Sequence, residues 1–110
     1  MLKRAELKDL KEIELLCKNS VVGIKIICQL TAYGFDRDFL EAWLLVSEYN
    51  PVAVIVRFYD DASVVASQNA DLEQLQIFLG MYYYKSIMCP QWLCDKLGFD
   101  SYTIKNSYRY

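Results

Sequence analysis

The chain has 110 residues, of which 55% are hydrophobic and 24% charged, and its formal net charge is -2. That length holds one domain with an apolar core of its own, and the composition excludes a disordered chain. A charge so near neutrality offers no basic field to a phosphate backbone, which argues against nucleic acid as a partner.

There is no histidine. Nucleophiles of the Ser-His-Asp and Cys-His kinds therefore cannot be assembled within the chain, and any proton transfer falls to carboxylates, tyrosine, cysteine or water. The four cysteines, Cys17, Cys28, Cys89 and Cys94, contain no Cys-x-x-Cys pair and have no histidine to complete a zinc site. Their spacing predicts free, buried thiols that act as small apolar side chains. The charge-poor stretch Val21 to Tyr33 is interrupted by Lys25 and is too short to span a bilayer. Lys3, Arg4, Glu6 and Lys8 are mixed into the N-terminus with no apolar run behind them, so no signal-peptide pattern is present and cytoplasmic residence is the expectation.

In chain order, Leu2 to Ala5 reads as a short strand. Leu7, Leu10, Ile13 and Leu16/Cys17 then recur at three to four residues, which predicts a first helix. Ser20 is placed to cap a second helix that carries Val21, Ile24, Ile27, Cys28 and Thr31 along one face, with Gly34 as its stop. The segment 34–39 is a loop. Ala42–Val46, Val52–Tyr59 and Ala62–Ala66 read as three strands joined by turns at Glu48-Tyr49-Asn50-Pro51 and Asp60-Asp61. Connections this short require antiparallel pairing, and the apolar run of the second strand suggests burial on both faces. Asn69 or Asp71 caps a third helix whose Leu72, Leu75, Phe78 and Leu79 face inward. A strand through Ile87-Met88, a helix opened by Pro90 and a last β-like segment, Tyr102 to Tyr110, complete the chain. No repeat or linker divides it, so 1–110 is read as a single α+β domain of order β-α-α-β-β-β-α-β-α-β.

Two motifs resemble a known family. Pro90-Gln91-Trp92-Leu93-Cys94-Asp95-Lys96-Leu97-Gly98-Phe99 is similar to the last helix of the GNAT acyltransferases, which often reads Tyr-Glu-Lys-Leu-Gly-Phe. The opening Arg4-Ala5-Glu6-Leu7-Lys8-Asp9-Leu10-Lys11-Glu12-Ile13 resembles the family's usual Arg-x-Ala strand with Asp-Leu-x-x-Ile behind it. The resemblance implies the GNAT-like acyl-CoA N-acyltransferase fold, a largely antiparallel mixed sheet flanked by helices. It also implies where acetyl-CoA is held in family members, at an Arg/Gln-x-x-Gly-x-Gly/Ala turn whose amides at a helix N-terminus cradle the pyrophosphate. Here that position reads Ser67-Gln68-Asn69-Ala70-Asp71-Leu72-Glu73, with no glycine, no arginine and two carboxylates. The family's tyrosine acid on the last helix corresponds to Cys94; a divergent enzyme would use Cys94 or a nearby tyrosine as acid, although a packed thiol is the simpler role for Cys94.

A GNAT-like domain without its cofactor loop is expected to act as an accessory or interaction half of an acetyltransferase. The chain resembles the degenerate N-terminal halves of bacterial tandem proteins in which a conventional GNAT domain follows, and its strand-like end at Tyr108-Arg109-Tyr110 points the same way. The alternatives are a divergent acetyl-CoA-dependent N-acetyltransferase and a small-molecule-binding or oligomerisation module. Asp36, Arg37 and Asp38 form a candidate substrate-side edge for an amine, with Arg37 orienting one carboxylate; equally they read as a solvated loop whose aspartates cap backbone amides and whose Phe35 and Phe39 anchor it. Tyr82-Tyr83-Tyr84 and Tyr102 to Tyr110 are candidate contacts for a C-terminal GNAT domain or a second copy of the chain, although packing is the simpler role for the first group. Asp60-Asp61 with Glu48 reads more simply as solvated turn residues than as a cation site. No metal and no membrane are expected.

Overall fold

The run Ala53-Val54-Ile55-Val56 is completely enclosed, each residue at 0% exposure, because it lies in the middle strand of a sheet covered on both faces. A computed structural model describes residues 1–82 and 84–98. Its elements are β1 (Leu2–Arg4), a 3-10 turn (Leu7–Asp9), α1 (Leu10–Cys17), α2 (Val21–Tyr33), β2 (Leu40–Ser47), β3 (Asn50–Phe58), β4 (Asp61–Ala66), α3 (Leu72–Met81), β5 (Ser86–Met88) and α4 (Gln91–Leu97). The strands lie in the order β1-β2-β3-β4-β5, antiparallel throughout except for the parallel β4–β5 pair. The expected last β-like segment, Tyr102 to Tyr110, lies outside the described residues.

Alternation along the strands divides the core into two layers. Leu44, Val54, Val56 and Val65 pack against Ile13 and Cys17 of α1 and Ile26 and Leu30 of α2. On the other face Ala53, Ile55 and Val64 meet Leu75 and Phe78 of α3 and Leu93 and Leu97 of α4. The β2–β3 register slips between Leu45, opposite Ala53, and Val46, opposite Pro51, so Val52 is the extra residue of a bulge.

The second helix begins and ends where its sequence predicts. Ser20 Oγ accepts the Gly23 N–H at 2.8 Å, and Gly34 follows the helix with φ +78°. Its buried face is another matter. Val22, Gly23, Ile26 and Leu30 turn inward, whereas Val21, Ile24 and Cys28 of the expected apolar face are exposed. The helix is apolar nearly all round, so periodicity alone does not select a face. Gly23 selects it: a Cβ there would stand 2.1 Å from the Cys17 carbonyl oxygen and 2.6 Å from Cys17 Cα. Only a residue without a side chain lets α2 cross the end of α1 this closely. Leu7 also departs from expectation. It belongs to the 3-10 turn before α1 and is 72% exposed, while Asp9 closes that turn by accepting the Glu6 N–H at 2.9 Å.

Both hairpins turn in two residues, with positive φ at Glu48 (52°), Tyr49 (70°) and Tyr59 (55°). None of these is glycine, so each conformation has to be held by its surroundings. At Tyr59 the restraints are visible. Its N–H donates to the Phe39 carbonyl at 2.7 Å, its ring stacks on Phe39 at 5.1 Å, and its carbonyl accepts from Arg57 Nη1 at 2.8 Å. Arg57 also donates from Nε to Glu41 Oε1 at 2.8 Å and from Nη2 to the Asp38 carbonyl at 3.0 Å. One guanidinium thus joins the α2–β2 loop, β2 and the β3–β4 turn.

Two substitutions test this arrangement. Gly23→Ala should lower unfolding free energy by about 1–3 kcal/mol in a denaturant titration, despite the better helix propensity of alanine, because the added carbon meets backbone. Arg57→Lys should cost about 2 kcal/mol in the same titration, since a single ammonium cannot reach three acceptors held in a planar fork.

Candidate functional site

The β4–α3 junction is the first place to look for an anion site, because a helix N-terminus presents unpaired amides. After β4 the chain makes a tight turn, with Ser67 N–H donating to the Val52 carbonyl at 2.8 Å and Ala70 N–H to the Ser67 carbonyl at 3.1 Å. Gln68 and Asn69 are exposed. Asp71 then caps α3. Its Oδ1 accepts from the Glu73 N–H at 3.1 Å and the Gln74 N–H at 3.3 Å, and its Oδ2 accepts from Gln74 Nε2 at 3.2 Å. The amides that would meet a pyrophosphate are already bonded to a carboxylate, and Glu73 adds a second negative group in the same turn. Ser67 Oγ is buried without a hydrogen-bond partner among the described residues, so one donor there is unspent. One hydroxyl does not offset two carboxylates at about 1 kcal/mol or more of repulsion per close like-charged pair. The residues present do not fit the pyrophosphate of acetyl-CoA.

Beside this junction the sheet opens. The β4–β5 ladder pairs Asp61 with Ser86, Ala62 with Ile87 and Ser63 with Met88, and then β5 leaves at Cys89-Pro90. Val64 to Ala66 remain paired with Ile55, Val54 and Ala53 of β3, but on the β5 side they continue as an edge with no strand beside it among the described residues.

Cys94 requires a correction. It is bonded to Cys89 in a disulfide, so neither residue is the free thiol that the spacing predicts. The five-residue separation matches no familiar paired-cysteine spacing, yet β5 ends at Met88, Pro90 caps α4, and the first turn of that helix brings Cys94 back over Cys89. A disulfide sulfur carries no proton, so Cys94 in this state is no acid. Of the remaining cysteines, Cys17 is buried, which pushes its thiol up to about 12, and Cys28 is exposed.

The Asp36, Arg37 and Asp38 loop does line a hollow. With Arg4 of β1, Glu41 of β2 and Phe35 it surrounds a cleft of about 320 Å³. Within it, Arg37 pairs with neither aspartate, and neither aspartate caps a backbone amide among the described residues, so both side-chain roles read from the sequence give way to solvated charges. Phe35 and Phe39 do anchor the loop on the core. The organised charges are its neighbours, Glu41, Arg57 and Arg4. Glu41 is shared by Arg57 at 2.8 Å and Arg4 at 3.6 Å, and the Arg4 guanidinium lies 5.2 Å from the Trp43 ring centroid. The signal available was Arg57 itself, a charge in an apolar strand; its partner emerges only with the register that sets Glu41 opposite it.

The tyrosine candidates extend an aromatic row. Trp43 meets Phe78 at 5.4 Å, Phe78 meets Tyr82 at 5.2 Å, and Tyr82 meets Tyr84 at 6.3 Å. Burial, with Tyr82 and Glu41 adding to it against Arg57, raises the Tyr84 phenol above its ordinary value. Tyr83 and Tyr102 to Tyr110 lie outside the described residues. Glu48 stands at the opposite end of β3 from Asp60-Asp61, and Asp61 accepts from Ser86 Oγ at 2.8 Å, so these three acids form no cluster. Among the described residues no group of side chains could hold a metal ion, and no helix is long and apolar enough to cross a membrane.

No family model and no curated protein matches the chain. Among solved structures it is similar to the crystal structure of a predicted acetyltransferase with acetyl-CoA from Clostridium acetobutylicum. The two are 12% identical over 92% of this chain and 90% of that chain, with a TM-score of 0.51. At that identity the likeness is one of architecture: the chain has a GNAT-like α+β fold, with a mostly antiparallel sheet of five strands between helices among the described residues.

Proposed function

We propose that this chain is a GNAT-like domain of the N-acetyltransferase family that does not bind acetyl-CoA in the family's way and serves as the accessory or interaction half of an acetyltransferase. The observation that carries this reading is Asp71, whose carboxylate accepts from the Glu73 and Gln74 amides at the start of α3. The absence of glycine from Ser67 to Ala70 and the oxidised state of Cys94 support it further. In this reading catalysis belongs to a GNAT domain elsewhere, and this domain contributes a docking surface, with the aromatic row ending at Tyr82 and Tyr84 as its candidate.

A divergent but active N-acetyltransferase is the second reading. The β4 edge from Val64 to Ala66 and the orphan Ser67 hydroxyl favour it, because an extended amide-bearing ligand could pair with that edge.

Titration calorimetry with acetyl-CoA separates the two. The first reading expects no saturable heat and no rise in melting temperature, since only a ligand bound to the native state stabilises it. Saturable low-micromolar binding would replace it with the second. Asp71→Asn refines the test: asparagine caps as well as aspartate, so stability should change by less than about 1 kcal/mol while the charge at the α3 terminus is removed. Acetyl-CoA affinity gained by that variant alone would identify Asp71 as the barrier.

A further inference from the structure

The Cys89–Cys94 bond spans the point where β5 passes into α4, and α4 has only seven residues. A helix that short has no stability of its own and depends on what ties it down. The ties are few. Leu93 and Leu97 are buried against the sheet face, Gln76 Nε2 donates to the Leu97 carbonyl at 3.0 Å, and Gly98 caps the helix at φ +77°. The N-terminal turn is held by Leu93 and Cys94 N–H groups, both donating to the Pro90 carbonyl at 3.0 Å, and by the disulfide itself.

We infer that the Cys89–Cys94 bond is a redox-controlled latch on α4, opened by exchange with a dithiol and closed again by a disulfide oxidant. Cys89 is 1% and Cys94 0% exposed, so an incoming thiolate reaches a sulfur only when α4 moves off the sheet. Opening of the helix and reduction of the bond are therefore coupled. In the exchange, one thiolate of the reductant attacks a sulfur, the Cys89–Cys94 bond breaks, and a mixed disulfide forms. The second thiolate of the reductant resolves it and leaves as a cyclic disulfide. Two electrons and two protons pass to Cys89 and Cys94, and oxidation reverses the transfer. The other cysteines take no part: Cys17 is enclosed on the opposite face of the sheet, and Cys28 is exposed on α2 in that same opposite layer. The latch stands independently of the proposed accessory role, because it concerns the state of α4 and not the site at α3. It also gives the open β4 edge beside Cys89 a neighbour whose position varies with redox state.

The test uses the full chain carrying Cys28→Ser, which removes intermolecular exchange. Denatured without reductant, the protein should show one reactive thiol, from Cys17, and three after treatment with dithiothreitol. On reduction of the native protein, amide hydrogen exchange at Leu93 and Cys94 should accelerate by about tenfold or more while β3 amides change far less, and reoxidation should restore it. Three thiols in the unreduced denatured chain would overturn the inference, as would unchanged exchange in α4 after complete reduction. An equal acceleration in β3 and α4 would also overturn it, because that is the behaviour of a global staple and not of a local latch. The exchange measurement needs no cysteine variant of the pair, so a folding defect in such a variant cannot obscure the outcome.

Discussion

The close approach of Gly23 of α2 to the backbone of Cys17 at the end of α1 decides how the first layer is built. It fixes the rotation of α2, and with it which residues of an almost uniformly apolar helix are enclosed. Ile26 and Leu30 meet the sheet as a consequence, while Val21, Ile24 and Cys28 remain outside. The same contact sets where α2 delivers the chain. Gly34 turns it into the loop that carries Asp36, Arg37 and Asp38 along the cleft. A substitution at one helix start thus bears on a site formed beyond the other end of that helix.

Charge is organised around a second point, the Arg57 guanidinium. It satisfies the Asp38 and Tyr59 carbonyls and shares Glu41 with Arg4. These contacts hold a non-glycine residue at positive φ and hold the cleft wall against the sheet. An arginine whose three guanidinium nitrogens are each engaged is a structural residue, which matters for reading the cleft: Asp36, Asp38 and Arg37 sit beside a network already committed to holding the fold. The β4–α3 junction obeys a similar logic. There the helix amides are satisfied from within by Asp71, so the feature that makes a helix start attractive to anions is already used.

Much of this was legible from residue order because the signals were local. Ser20 and Gly34 bracket α2, Pro90 and Gly98 bracket α4, and the apolar run of β3 announces burial on both faces. What escaped depended on contacts between distant or rotated residues. The face of α2 could not be read from a helix apolar on all sides, and needed the Gly23 contact. Leu7 fitted a helical period but fell in a 3-10 turn. Cys89 and Cys94, five residues apart without a Cys-x-x-Cys spacing, looked unrelated until the strand-to-helix turn folded one over the other. Glu41 and Arg57 required the β2–β3 register. At the candidate site the absence of a glycine loop was visible in Ser67 to Ala70, but that the Asp71 carboxylate accepts from the Glu73 and Gln74 amides is a matter of geometry.

The fold and the chemistry therefore point in different directions: a GNAT-like sheet and helices, with an α3 terminus that supplies its own anion. Amide-resolved NMR bears on that claim most directly. In an isotopically labelled chain titrated with coenzyme A, the Glu73 and Gln74 amide resonances should stay in place, because both N–H groups are held by Asp71. Saturable displacement of those two resonances by coenzyme A would contradict the account, since it would mean that a phosphate displaces the carboxylate.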